Sequence, residues 1–196
     1  MISGLRLVIA VGLTVVALSA APNKYTYWVQ SCTDPASLCQ PDDPQLAQWA
    51  FEAWQKASGD KLEFTRVKDR DRARIRLYWA SAEQGMYGET RPMAFEGHLG
   101  AEVYVRPSPL PVSGDRLLRD AIVYLTCLHE SGHALGLAHT AVFADIMYSF
   151  QFGGDIEEYF GRYRRKLDTR GDIAKNSGMS AADRARLIEI LTEPRP

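Results

Sequence analysis

Apolar positions along this chain follow two periods. In "ARIRLYWA" (Ala73–Ala80) Ile75, Leu77 and Trp79 alternate with Arg74, Arg76 and Tyr78, the period of a half-buried strand. In the segment that opens at Asp43, Leu46, Ala50, Ala53, Trp54 and Ala57 recur at helical spacing and share one face. Asp43 as N-cap, Pro44 as the first helical residue and Gly59 as the stop bound that helix. "YTYWV" (Tyr25–Val29) and "LEFTRV" (Leu62–Val67) read as further strands. The segment "GMYGETRPMAFEGHLGAEVYV" predicts two more, joined by a turn at Glu96–Gly100, and Pro92 confines the first of them to a sheet edge. From Asp115 a second long helix runs through Leu118, Ile122, Leu125 and Leu128. A last helix follows Ser180, where Asp183 completes a capping-box start ahead of Leu187, Ile188 and Leu191. This order of elements predicts an α/β (α+β) fold, a mixed sheet with an antiparallel edge strand.

The composition keeps that picture and narrows the function. With 196 residues, 46% hydrophobic and 24% charged, the chain suits one globular domain with a real core. Its formal net charge of −1 gives no overall field to draw nucleic acid or an anionic membrane. The "GRYRRK" run (Gly161–Lys166) accordingly reads as a solvated face, with a nucleic-acid patch as the weaker alternative. At the N-terminus Arg6 precedes an apolar run, Leu7–Leu18, and the small residues "SAA" before Pro22. That is the pattern of a secretory signal peptide over 1–21, leaving 22–196 as the mature domain. The run is shorter than the ~20 residues that span a bilayer, though an uncleaved anchor stays open. Cys32 and Cys39 flank the turn-prone "CTDPASLC", which in an oxidising compartment predicts a disulfide; two reduced thiols are the alternative. Cys127 falls in an apolar helical run and reads as a small buried side chain.

Three of the four histidines crowd into "LHESGHALGLAHT" (Leu128–Thr140). His129 and His133 are four apart on the second helix, so both imidazoles leave one face and can reach a single ion. Gly136 permits a left-handed turn that ends the helix and returns the chain, bringing His139 to the same point as a third ligand. Three neutral imidazoles suit zinc and leave a fourth position for water. Glu130, beside the pair but not a ligand, stands where a general base would take that water's proton. A lone helical histidine is usually structural; five specified residues at fixed spacing point to a hydrolytic metal site. A metal site without catalysis is the remaining alternative.

"HESGHALGLAH" resembles the metzincin zinc-peptidase signature, and "DIMYS" eight residues on resembles that clan's Met-turn. The short gap to Met147 and Tyr148 directly after it look most like matrixins. The resemblance covers most of Tyr25–Leu191 and implies a metzincin-like catalytic domain with an active-site helix and a C-terminal helix. It implies catalytic zinc on His129, His133 and His139, Glu130 as base, and Met147 as a hydrophobic floor for the ligands, although a methionine after an apolar pair is more often core filler. It further implies a secreted, monomeric endopeptidase that takes a protein or peptide substrate along the edge near Arg91–Phe95. No nucleic acid is implied, and no stable membrane association once a signal is cleaved. A secreted or tethered binding module with a non-catalytic zinc is the rival reading.

The chain also departs from the matrixin pattern. Only His98 lies outside the motif, so it reads as an exposed turn residue rather than part of a second, structural zinc site; calcium stays open. The few residues between the signal and the first strand leave no room for a cysteine-bearing propeptide. Ser149 replaces a proline that often follows the Met-turn. The link Phe150–Gly178 is longer than usual and carries Phe150, Phe152, Tyr159, Phe160 and Tyr163, with Gly153 and Gly154 as hinges. We read Ser149–Gly178 as a wall that sets substrate choice, against a remote surface elaboration.

Overall fold

A computed structural model describes residues 21–81, 87–107 and 114–193. The apolar run Leu7–Leu18 lies outside them. Five strands form one mixed sheet in the order β2-β1-β3-β5-β4: β1 (Asn23–Val29), β2 (Leu62–Arg66), β3 (Ile75–Trp79), β4 (Gly88–Phe95) and β5 (His98–Val105). All neighbours run parallel except β4, which pairs antiparallel with β5 at the edge. Helices α1 (Asp43–Ala57) and α2 (Arg116–Leu135) pack against each other and the sheet, and α3 (Ile156–Arg164) and α4 (Ala181–Thr192) follow. The α/β architecture with an antiparallel edge strand is the one the periodicity predicts.

The core is the inward side of that sheet met by the apolar stripes of the helices. Tyr25, Tyr27, Val29, Ile75, Leu77, Trp79, Val103 and Val105 are buried in the period-two register of their strands. Phe51 stacks on Tyr27 with ring centroids 4.2 Å apart, and Trp54 is wholly enclosed. Trp54 Nε1 donates to Leu128 O (3.0 Å) and Ser131 Oγ (3.1 Å), so α1 grips α2 within a turn of the histidines.

Four local expectations change. Asp43 is the first residue of α1, behind Asp42 as N-cap; its buried carboxylate accepts from Gln40 N and pairs with the buried Arg119. A strong cationic partner on α2 outcompetes the capping geometry for that side chain. The β4–β5 turn is only Glu96–Gly97, with φ of 46° and 77°, because two left-handed residues already reverse a hairpin. Ile188 is exposed, one step off the face that buries Leu187 and Leu191. Helix α3 stands where only a link was foreseen. Asp155 caps it by accepting from Glu158 N, and Tyr159, Phe160 and Tyr163 form its buried face.

The free edge of β4 has a defined register. Arg106 N donates to Tyr87 O, whereas Ala101 N donates to Arg74 O, just ahead of β3. Antiparallel pairs alternate between bonded and open, so Gly88, Thr90, Pro92 and Ala94 turn their main-chain groups to the open side. Pro92 can offer only a carbonyl there.

Candidate metal centre

Helix α2 is capped at its start by Asp115, whose carboxylate accepts from Leu118 N (3.0 Å), and at its end by Gly136 in the left-handed region, φ 102°. Leu137 N then donates to Gly132 O (3.0 Å), closing the helix and turning the chain toward His139. The structure thereby brings His129, His133 and His139 together, Nε2 of His139 lying 3.2 Å from that of His129 and 3.0 Å from that of His133.

Their outer nitrogens decide what the inner ones can do. His129 Nδ1 donates to Ile146 O (2.7 Å) and His133 Nδ1 to Leu137 O (2.8 Å). A carbonyl only accepts, so each ring carries its proton on Nδ1 and turns a bare Nε2 lone pair inward. Burial pushes His129 down to about 4 and also lowers His133, which keeps both rings neutral at neutral pH. Lone pairs aimed at one another repel unless a cation lies between them. Nitrogens around a tetrahedral zinc at ~2.0–2.1 Å stand about 3.3 Å apart, close to the separations found. The donor set fits a metal ion.

Beneath the histidines the loop Thr140–Ser149 is tied to itself and to α4. Thr140 N donates to Met147 O (2.8 Å) and Ser149 N to Thr140 O (3.2 Å). Asp183, in the first turn of α4, accepts from Ser180 N in a capping box and from Ile146 N, both at 2.8 Å. Ile146 is the residue whose carbonyl orients His129, so the α4 cap and the histidine are linked through the backbone of one residue. Met147 is fully buried against Gly132, where a Cβ would come within 2.6 Å of Met147 Sδ and 2.9 Å of Trp54 Cζ2.

Glu130 points from the same helix toward β4. Its buried carboxylate accepts from Thr90 Oγ1 at 2.8 Å. Burial, partly offset by that hydrogen bond, pushes its carboxyl up to about 7, where a proton can be both taken and released. A cleft of about 1570 Å³ holds all three histidines and Glu130 and runs along Gly88, Thr90 and Pro92. Tyr148, Phe150, Tyr159 and Phe160 line its other side, whereas Tyr163 stacks on Tyr124 and Phe152 is exposed. Three of the five aromatics foreseen as a wall therefore reach the cleft.

The remaining candidates fall elsewhere. His98 is exposed at the start of β5. Cys32 and Cys39 are joined as a disulfide with Cα atoms 5.3 Å apart, and Cys127 is free and buried. Within the basic run, Arg164 pairs with Asp115, Arg165 pairs with Glu158, and Arg162 lies over the rings of Phe143 and Tyr159. Those cations are engaged within the fold. Reading along the chain missed Thr90 and Gly88, which reach Glu130 from 40 or so positions away, and the second task of Asp183. No local spacing encodes such contacts.

No helix among the described residues is long and apolar enough to cross a membrane. No family model matches this chain. In a match of 143 positions that covers 67% of this chain, it is 28% identical to interstitial collagenase from Bos taurus. The match spans 28% of that protein. The chain is thus similar to a collagenase over part of each sequence, and its fold gathers three histidines that could hold a metal ion.

Proposed function

We propose that this chain is a secreted, monomeric, zinc-dependent endopeptidase of the matrixin type, its catalytic domain spanning 22–196 behind a signal peptide at 1–21. One observation carries the reading: three inward-turned imidazole nitrogens lie beside a buried carboxylate that is not among them. His129, His133 and His139 would hold the ion, with Met147 as a rigid apolar floor. Bound there, zinc would supply Lewis acidity toward a peptide carbonyl and acidify water.

The rest of the reaction belongs to the chain's own groups. A peptide adds as a strand to the open edge of β4, exchanging main-chain hydrogen bonds with Gly88, Thr90 and Ala94. Glu130 takes a proton from the attacking water and returns it to the amide nitrogen as the C–N bond breaks. Tyr148, Phe150, Tyr159 and Phe160 face the side chain beyond the cut, so Ser149–Gly178 sets preference there. The similarity to a collagenase supports a protein substrate.

Two measurements test this. The exported protein should contain one zinc and cleave a denatured protein or peptide library. Replacing His139 with alanine should strip the metal, and Glu130→Ala should retain metal while turnover falls by about 10²–10⁴. Stoichiometric zinc in His139→Ala, or unchanged cleavage by Glu130→Ala, refutes the assignment.

A further inference from the structure

The edge strand reaches Glu130 from outside the motif through two residues on one strand face. Thr90 Oγ1 lies 2.8 Å from Glu130 Oε2 and 2.9 Å from Glu130 O. A hydroxyl carries a single proton, so the carboxylate and the helix carbonyl share one donor. Among the described residues, this hydroxyl is the carboxylate's hydrogen-bond donor. Two positions earlier, a Cβ built on Gly88 would meet Glu130 Cγ at 2.6 Å, Oε1 at 2.7 Å and Cδ at 2.9 Å. Gly88 has no positive φ, so its backbone would accept other residues. The contact with Glu130, not the chain's path, is what calls for glycine.

We propose that Thr90 and Gly88 are positioning residues for Glu130. The Thr90 hydroxyl fixes one carboxylate oxygen, and the bare α-carbon of Gly88 leaves room for the other. Because Thr90 turns its main-chain groups to the open edge, the residue that receives a peptide strand also aims the carboxylate beneath it. This rests on the peptidase reading above. Neither side chain need touch the reacting atoms; both act through Glu130.

The test uses the full chain and two independent changes. Thr90→Val removes the hydroxyl at nearly constant volume and should lower kcat about tenfold to a hundredfold, with KM held within about twofold. Thr90→Ser should restore most of that loss. The three atoms nearest a Cβ at position 88 all belong to the Glu130 side chain, so in Gly88→Ala the fold should persist while the displaced carboxylate costs about a hundredfold in kcat. Zinc content and melting temperature of these variants should match the parent. A urea-unfolding cycle of Thr90→Val with Glu130→Ala, run on metal-free protein, should be non-additive. That cycle reads the contact without any turnover.

A parent that binds zinc but cleaves nothing sinks the peptidase reading, and the positioning role with it, whatever the cycle shows. An active parent with undiminished kcat in Thr90→Val, equal loss in Thr90→Ser, or an additive cycle overturns this inference alone. Should Thr90→Val fail to fold, Gly88→Ala carries the test, and full activity there overturns it.

Discussion

The carboxylates around the histidines are treated in two opposite ways. Asp145 and Asp183, below the histidines, receive hydrogen bonds from Thr140 and Ser180 hydroxyls, from Ser180 and Ile146 amides, and from Arg186 to both. Glu130, above them, receives one hydroxyl, that of Thr90, among the described residues. Burial raises the carboxyls of both Asp145 and Glu130. In Asp145 the bonds from Ser180, Arg186 and Thr140 outweigh it and hold the group below its ordinary value. In Glu130 they do not, and the group rises to about 7. A buried carboxylate with many donors is fixed as an anion and serves as a structural pin. One that keeps a single donor stays ready to accept a proton. The same residue chemistry thus builds the floor of the site and, on our reading, its base.

The largest effect that should separate the two is on stability. Asp183→Ala removes the α4 cap, the Ile146 amide's partner and one counter-charge of Arg186. Breaking such a buried pair should cost about 3–5 kcal/mol in urea unfolding. It should also loosen His129, whose Nδ1 partner is the Ile146 carbonyl. Glu130→Gln should leave stability within about 1 kcal/mol of the parent, because a neutral amide is less costly to bury than a sparsely bonded carboxylate. Equal losses in the two variants would erase the distinction drawn here.

A smaller effect follows from acid. The folded carboxyl of Asp145 titrates below its unfolded value, near 3.8. Its contribution is therefore complete above that value and is lost as the pH falls through the lower, folded one. Unfolding of metal-free protein followed from about pH 5 to about pH 2 should show stability dropping with acid, and Asp145→Asn should flatten that drop. An identical slope in the variant would remove Asp145 from the pinning set.

How legible this was in the sequence differs between the two groups. The His129–His139 spacing, the Gly136 turn and the capping residues Ser180 and Asp183 are local patterns, and each stands in the structure within its own short segment. The alternation in β3 likewise foretold which side chains are buried. Helix α3 is less legible although Asp155 and Glu158 make a start signal, because its nine residues are short and Tyr159, Phe160 and Tyr163 fit a cleft wall as well as a helical stripe. Thr90 and Gly88 could not have been found along the chain. Their meeting with Glu130 depends on β4 lying beside α2, a long-range packing outcome that neither periodicity nor spacing records.

The smallest expected effect asks whether donor count alone makes a pin. Glu158 meets Arg165 with two hydrogen bonds, 3.1 Å and 2.6 Å, a bidentate pair as well made on paper as the contacts of Asp183. Its carboxyl is likewise held below its ordinary value, chiefly by the Arg165 hydrogen bond. Yet both side chains are about half exposed or more, at 49% and 62%, so water and salt compete for each partner. Asp183, by contrast, is fully enclosed, and nothing replaces a donor it loses. Glu158→Gln should therefore leave the melting temperature unchanged within error, at low salt and at high salt alike. A loss comparable to that of Asp183→Ala would mean that the number of bonds, rather than their burial, distinguishes a structural carboxylate from the sparsely held Glu130.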